Sequence, residues 1–238
     1  PLYIKIAKQL GMRVKLIDVS DKDLNINYEN FFQIDEECKG IVVTHLFGNP
    51  CEIGKIKKFC EEKNIKLIED CAQSFDSNHE GIETGNFGVA GIISTSLLKI
   101  PTTLSGGILV TSDETLYKNT EQWMKNNLSN NFFDKVKLFV KIFIFILNSY
   151  PKIYSLLSDK IFFFLKKYNP RIYRKILYSG MGMKDNIFNP KERPHLSKYQ
   201  TAIGLSQIER CTEMTSSRRK NSQILQKILS NSKNIQVI

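Results

Sequence analysis

With 238 residues the chain has room for one large domain or one domain with an appendage, and 42% hydrophobic and 24% charged residues are ordinary globular values. Five scattered cysteines without CxxC spacing argue against a disulfide framework or a zinc site and fit reduced thiols in the cytoplasm. The net charge of +10 invites nucleic acid only until it is located. Between Asn131 and Lys184 eleven Lys and Arg stand against Asp134 and Asp159, a balance of +9, and 13 of the 25 aromatic residues lie there too.

The opening stretch PLYIKIAKQLGMRVKL has no continuous apolar core and no small-residue cleavage site, so no signal peptide is expected. The first residue is Pro1 rather than Met, and the expectation is a chain incomplete at its start. Residues 1–128 then read as alternating strand and helix. Short apolar runs at Arg13–Val19, Gly40–His45, Ile65–Glu69, Gly91–Ser96 and Gly107–Thr111 have strand length and β-branched content. Between the second and third, Glu52–Lys63 places Ile53, Ile56, Phe59 and Cys60 on one helical face and Lys and Glu on the other. Such alternation predicts a mainly parallel sheet covered by helices on both sides. The third run ends in Glu69-Asp70, which puts carboxylates at a carboxyl edge, where open α/β sheets gather ligands; helix capping is the plainer reading of the same residues.

From Phe132 to Lys184 the pattern changes to apolar runs, Leu138–Leu147 and Asp159–Tyr168, punctuated by Pro151, Pro170 and Gly180 into two or three short helices. Neither run reaches the about 20 apolar residues that a bilayer span needs. A last helical stretch is expected from Ser197 to Leu229, with Ile203, Leu205, Ile208, Met214, Ile224, Leu225 and Ile228 mostly at helical spacing.

Polar features recur at the strand ends: Asp70 with Gln73, Ser94 with Ser96, and then Lys99. They sit in Glu69-Asp70-Cys71-Ala72-Gln73, Gly85-Asn86-Phe87-Gly88, Ser94-Thr95-Ser96-Leu97-Leu98-Lys99 and Thr102-Thr103-Leu104-Ser105-Gly106-Gly107. Upstream stands Thr44-His45-Leu46-Phe47-Gly48, and downstream Leu196-Ser197-Lys198-Tyr199-Gln200-Thr201-Ala202-Ile203-Gly204-Leu205. In order and spacing these segments resemble the DegT/StrS-type nucleotide-sugar aminotransferases, pyridoxal-phosphate enzymes of fold type I. The resemblance covers about residues 1–128 and 190–238 and differs at Thr95, at Ile100-Pro101, at Leu104-Ser105 and at Arg193-Pro194-His195.

The resemblance implies a type-I α/β large domain, truncated at both ends, with residues 1–130 and 187–238 in that domain and 131–186 as a basic aromatic helical insertion. It implies pyridoxal 5'-phosphate as cofactor and Lys99 as the Schiff-base and proton-carrying lysine. Asp70 then faces the pyridinium nitrogen, Gln73 the phenolic oxygen and Ser94 the phosphate, with His45 near the ring and Arg193 as a further phosphate contact. No metal is called for. The implied reaction moves an amino group from an amino acid, glutamate being typical, to a keto-sugar nucleotide for surface glycan synthesis, in a cytoplasmic homodimer. A dehydratase branch carries His in place of the lysine, and Lys99 speaks against it. The family's phosphate loop, ring-stacking aromatic and small domain find no match before Pro1 or after Ile238, so this chain alone is expected to bind the cofactor weakly or not at all and to be inactive. The alternative is a catalytically silent binding protein that docks through the insertion. Three readings of 131–184 stay open: attachment to the inner face of a membrane, a buried oligomer contact or substrate lid, and a nucleic-acid surface, the last disfavoured by its consecutive apolar residues.

Overall fold

The computed structural model describes residues 2–97, 99–128, 132–173 and 195–230. The chain divides into two compact units, one made of Pro1–Val14 and Gln122–Ser197, the other of Lys15–Glu121 and Lys198–Ile238.

The second unit carries a four-stranded sheet ordered β1-β2-β5-β6, from β1 (Gly40–Thr44), β2 (Lys66–Asp70), β5 (Ala90–Ser94) and β6 (Gly107–Val110). The first three are parallel, with Thr44 beside Asp70 and Asp70 beside Ile92; β6 runs antiparallel to β5, Ser94 facing Gly107. Four of the five strand expectations are met to within one or two residues. Arg13–Val19 is not a strand: its ladder contact among the described residues is a single bridge, Val19 to Ile26, and most of its side chains stay exposed. A β-prone run becomes a strand only when a neighbouring ladder takes up its N–H and C=O groups.

Side chains alternate across the pleat. Ile41 and Val43 of β1 and Leu67 and Glu69 of β2 point to a buried face, whereas Val42, Ile68 and Ile92 on the other are half-buried or exposed. Within this unit the buried face is the one met by α2 (Ile53–Glu62), and the sheet is mostly parallel and flanked by helix, as expected. Ile53, Ile56 and Cys60 are buried on the predicted stripe, with Phe59 partly buried beside them, and each fully buried Ile contributes about 1.5–3 kcal/mol by leaving water. The helix ends where Asn64 turns left-handed (φ 51°), with Ile65 N–H bonded to the Cys60 carbonyl at 2.8 Å and Asn64 N–H to Glu61 at 3.2 Å. Phe31, from a short 3-10 turn at Tyr28–Gln33, closes this core edge-on to Phe59, ring centroids 5.2 Å apart. Between β2 and β5 lies a small hairpin, β3 (Asn78–His79) and β4 (Ile82–Glu83), turned by Glu80 and Gly81, both at positive φ.

The predicted C-terminal helical stretch is two helices, α7 (Lys198–Ile208) and α8 (Cys211–Leu229), broken at Glu209–Arg210. Their buried residues are Gln200, Gly204 and Cys211; Leu205, Ile208, Ile224, Leu225 and Ile228 of the expected apolar set are exposed.

The first unit contains α1 (Leu2–Gln9), α4 (Phe132–Asn148), a short α5 (Pro151–Ile153) that continues through one wide π turn at Tyr154–Ser158 into α6 (Asp159–Tyr168), and the C-terminal part of α3 (Glu114–Asn127), which begins in the second unit. The apolar runs read from the sequence fall within α4 and α6, with Pro151 at the first position of α5. Gly180 lies outside the described residues.

Candidate functional site

Four of the quoted motifs, at 44–48, 69–73, 94–99 and 102–107, lie at the carboxyl ends of β1, β2 and β5 and at the start of β6 beside them. Parallel register sets Thr44, Asp70 and Ile92 side by side, and the period of two puts Ser94 on that same, partly open face. Asp70 is half-buried, and among the described residues its carboxylate is bonded only by the Ala72 N–H, to Oδ1 at 3.0 Å. Gln73 sits on the turn that follows, where its Oε1 accepts the Phe47 N–H at 3.3 Å and so joins the ends of β1 and β2. Ser94 Oγ donates to Ser96 Oγ at 3.3 Å.

Lys99 is half-buried on the loop between β5 and β6, its N–H bonded to the Ser96 carbonyl at 2.9 Å. Thr103 returns to the sheet end through Thr95, N–H to carbonyl at 2.9 Å and hydroxyl to hydroxyl at 2.7 Å. From α7, Gln207 grips Thr102 like a strand partner: Thr102 N–H to Oε1 at 2.9 Å, Nε2 to the Thr102 carbonyl at 2.8 Å. Gln200 Nε2 adds bonds to the carbonyls of Thr103 at 3.0 Å and Ser105 at 3.1 Å. Two glutamines about a hundred residues downstream therefore hold the loop that carries Lys99. Gln200 stands in the motif quoted above, but nothing local to either residue marks this task.

His45 goes to the other face. One residue beyond Thr44, it points with Val43 toward Glu69 and is fully buried. His45 Nδ1 accepts the Cys51 N–H at 3.2 Å, so its proton is on Nε2, which donates to Glu69 Oε2 at 3.2 Å. Glu69 also accepts the N–H groups of Gly85 at 2.8 Å, Phe87 at 2.7 Å and Gly88 at 2.8 Å. Burial raises its carboxyl pKa, but the His45 hydrogen bond and these three N–H groups outweigh it and bring the group below its ordinary value. The Gly-Asn-Phe-Gly segment is shaped by this carboxylate. A Cβ on Gly88 would overlap the Leu67 carbonyl, and one on Gly91 would lie 2.5 Å from the Gly85 Cα, so neither site admits a side chain.

Among the described residues His45, Glu69 and Cys71 bring possible metal-ligand atoms within 4.8 Å of one another. Both imidazole nitrogens and both carboxylate oxygens are already hydrogen-bonded, and burial together with the Glu69 charge pushes the Cys71 thiol up to about 11. That donor set is a closed hydrogen-bond node rather than a metal centre. Of the residues singled out in the sequence, Asp70, Gln73, Ser94 and Lys99 gather at the strand edge and its loops, His45 lies on the reverse face, and Arg193 is outside the described residues.

The chain is 33% identical over 111 residues to the GDP-4-keto-6-deoxy-D-mannose 3-dehydratase of Yersinia pseudotuberculosis, covering 46% of this chain and 28% of that protein. It is 32% identical over 115 residues to the GDP-perosamine synthase of Escherichia coli O157:H7, covering 48% and 32%. In fold it is similar to PseC of Helicobacter pylori, an aminotransferase involved in the biosynthesis of pseudoaminic acid (TM-score 0.65, 17% identity, 95% of this chain and 48% of that one). It is likewise similar to the Escherichia coli GDP-4-keto-6-deoxy-D-mannose-3-dehydratase with bound hydrated PLP (TM-score 0.61, 21% identity, 94% and 49%). The chain thus spans about a third of those two sequence relatives and about half of the two structural ones. The sequence match to the family takes in residues 4–139, more than half of the chain, and the chain belongs to the DegT/DnrJ/EryC1/StrS aminotransferase family.

Proposed function

We propose that the protein of which this chain is part transfers an amino group from an amino acid, glutamate in the first instance, to a keto-sugar nucleotide with the help of pyridoxal 5'-phosphate. The observation that carries the reading is the placement of Asp70 and Ser94 on one half-open face of the strand edge, with Lys99 on the adjoining loop. Family membership supports it, as do relatives named for nucleotide-sugar chemistry.

The residues fit the cofactor chemically: an acid for a ring nitrogen, an amide for a ring oxygen, a hydroxyl for a phosphate and an amine for an aldehyde. Bound there, pyridoxal phosphate would supply an electron sink for the bond being broken. Asp70 would keep a proton on the ring nitrogen through its negative charge. Gln73 would orient the ring and Ser94 would hold the phosphate. Lys99 Nζ would be both the covalent anchor and the base that carries a proton at the reacting carbon. Glu69 and His45 would brace the edge from beneath, and Arg193, by charge, would meet a phosphate. A lysine at this position favours amino transfer over sugar dehydration. The protein would act in the cytoplasm as a homodimer, feeding a surface glycan.

The test uses the full-length protein. It should take up pyridoxal phosphate with a visible absorption band and aminate keto-sugar nucleotides from glutamate, and Lys99→Ala should lose both band and turnover. Wild-type protein with neither band nor turnover overturns the proposal.

A further inference from the structure

The helices of the first unit carry an exposed apolar surface that amino transfer does not use. On α4, Val136, Phe139, Val140, Phe143 and Ile144 follow the i, i+3, i+4, i+7, i+8 spacing of one helical face, and all five are exposed, Phe139 to 69%. On α6, Ile161, Phe164 and Tyr168 form a second such face, with Phe164 and Tyr168 rings 4.4 Å apart. A lone exposed apolar residue needs no explanation, but a helical face of several such residues on each of two helices marks what something covers.

Charge identifies the occupant. Residues 132–173 carry eight Lys and Arg against two acidic residues, while the whole chain has +10. Lys160 and Lys167 border the α6 face at helical spacing, exposed to solvent, and Arg171 is exposed just beyond the helix end. Aromatic and aliphatic side chains on one face with lysines at its borders is the composition of a helix lying in an interface between water and lipid. Among the described residues no helix is long and apolar enough to cross a membrane. A second copy of the chain fits less well. A two-fold contact would bring like-charged segments together, and lysine is depleted from protein interface cores. A nucleic-acid groove would show separated stacking aromatics rather than continuous aliphatic faces.

We infer that α4 and α6 form a peripheral docking surface for an anionic lipid bilayer, with the apolar faces in the headgroup boundary and the lysines on acidic phospholipids. The inference does not depend on the cofactor reading, since vesicle binding is measured without turnover.

Full-length protein is floated with vesicles of phosphatidylcholine alone or mixed with phosphatidylglycerol. Binding is expected to the mixed vesicles, to weaken as salt rises, and to be nearly absent on phosphatidylcholine. Lys160→Glu with Lys167→Glu should weaken it at least about tenfold, and Phe139→Ser with Phe143→Ser should weaken it at unchanged far-UV circular dichroism. Should the Phe variant fail to fold, the Lys variant still decides. No flotation at low salt overturns the proposal, as does flotation indifferent to both variants. So does a Phe variant that dissociates an oligomer while binding vesicles normally, or duplex DNA that binds the surface when vesicles do not.

Discussion

His45 donates Nε2–H to Glu69 Oε2 at 3.2 Å in a pair that is wholly buried beneath the strand edge carrying Asp70. Neighbouring residues on β2 thus divide the labour. Glu69 looks inward and ties together β1, β2 and the Gly85–Gly88 segment, while Asp70 looks outward with its carboxylate largely unspent.

Glu69→Ala should destabilise the fold by roughly 3–5 kcal/mol, because three buried N–H groups and the imidazole lose their acceptor at once. Urea titration of the full-length protein measures it. The carboxyl is depressed in the folded state, so its stabilisation is complete above the ordinary value of 4.5 and fades as pH falls through the lower folded value. Glu69→Gln, lacking the charge, should show a flatter loss of stability below about pH 4.5 than wild type.

Gln207→Ala should cost about 1–2 kcal/mol and loosen the loop from Ser96 to Gly106, since the Thr102 N–H and carbonyl lose both partners. Limited proteolysis should cut within that loop faster than in wild type. If Lys99 works from this loop, cofactor affinity should fall with it, without any change to a residue touching the cofactor.

Asp70→Asn should leave thermal stability within about 1 kcal/mol, because the Ala72 N–H keeps an oxygen acceptor, yet lower turnover by about 100-fold through loss of the charge at the ring nitrogen. An equal fall in stability and in activity would assign the residue to capping alone.

The buried thiols should be inert. Burial first, then nearby negative charge, pushes Cys51 up to about 12 and Cys71 to about 11, and burial likewise raises Cys60 to about 11. At pH 8 iodoacetamide should therefore label Cys38, the half-buried member, well before the other four, and all five once urea is added. Rapid native labelling of Cys71 would contradict the closed packing around Glu69.

Periodicity was enough to find β1, β2, β5, β6 and α2, because a period of two or 3.6 in apolar residues is a local record of which side chains leave water. Asp70, Gln73, Ser94 and Lys99 stood out through the resemblance of their motifs to a family, and the parallel register sets Asp70 beside Ile92, two residues before Ser94. What tertiary structure decided were matters of partnership. Arg13–Val19 has the composition of a strand but, among the described residues, no ladder beyond the Val19–Ile26 bridge, and β6 reads like its neighbours although it runs the other way. His45 and Thr44 are adjacent in sequence and on opposite faces of the sheet, which only the register with Asp70 and Glu69 reveals. Gln200 and Gln207 acquire their role by packing against a loop about a hundred residues away, and no local pattern records a contact at that separation.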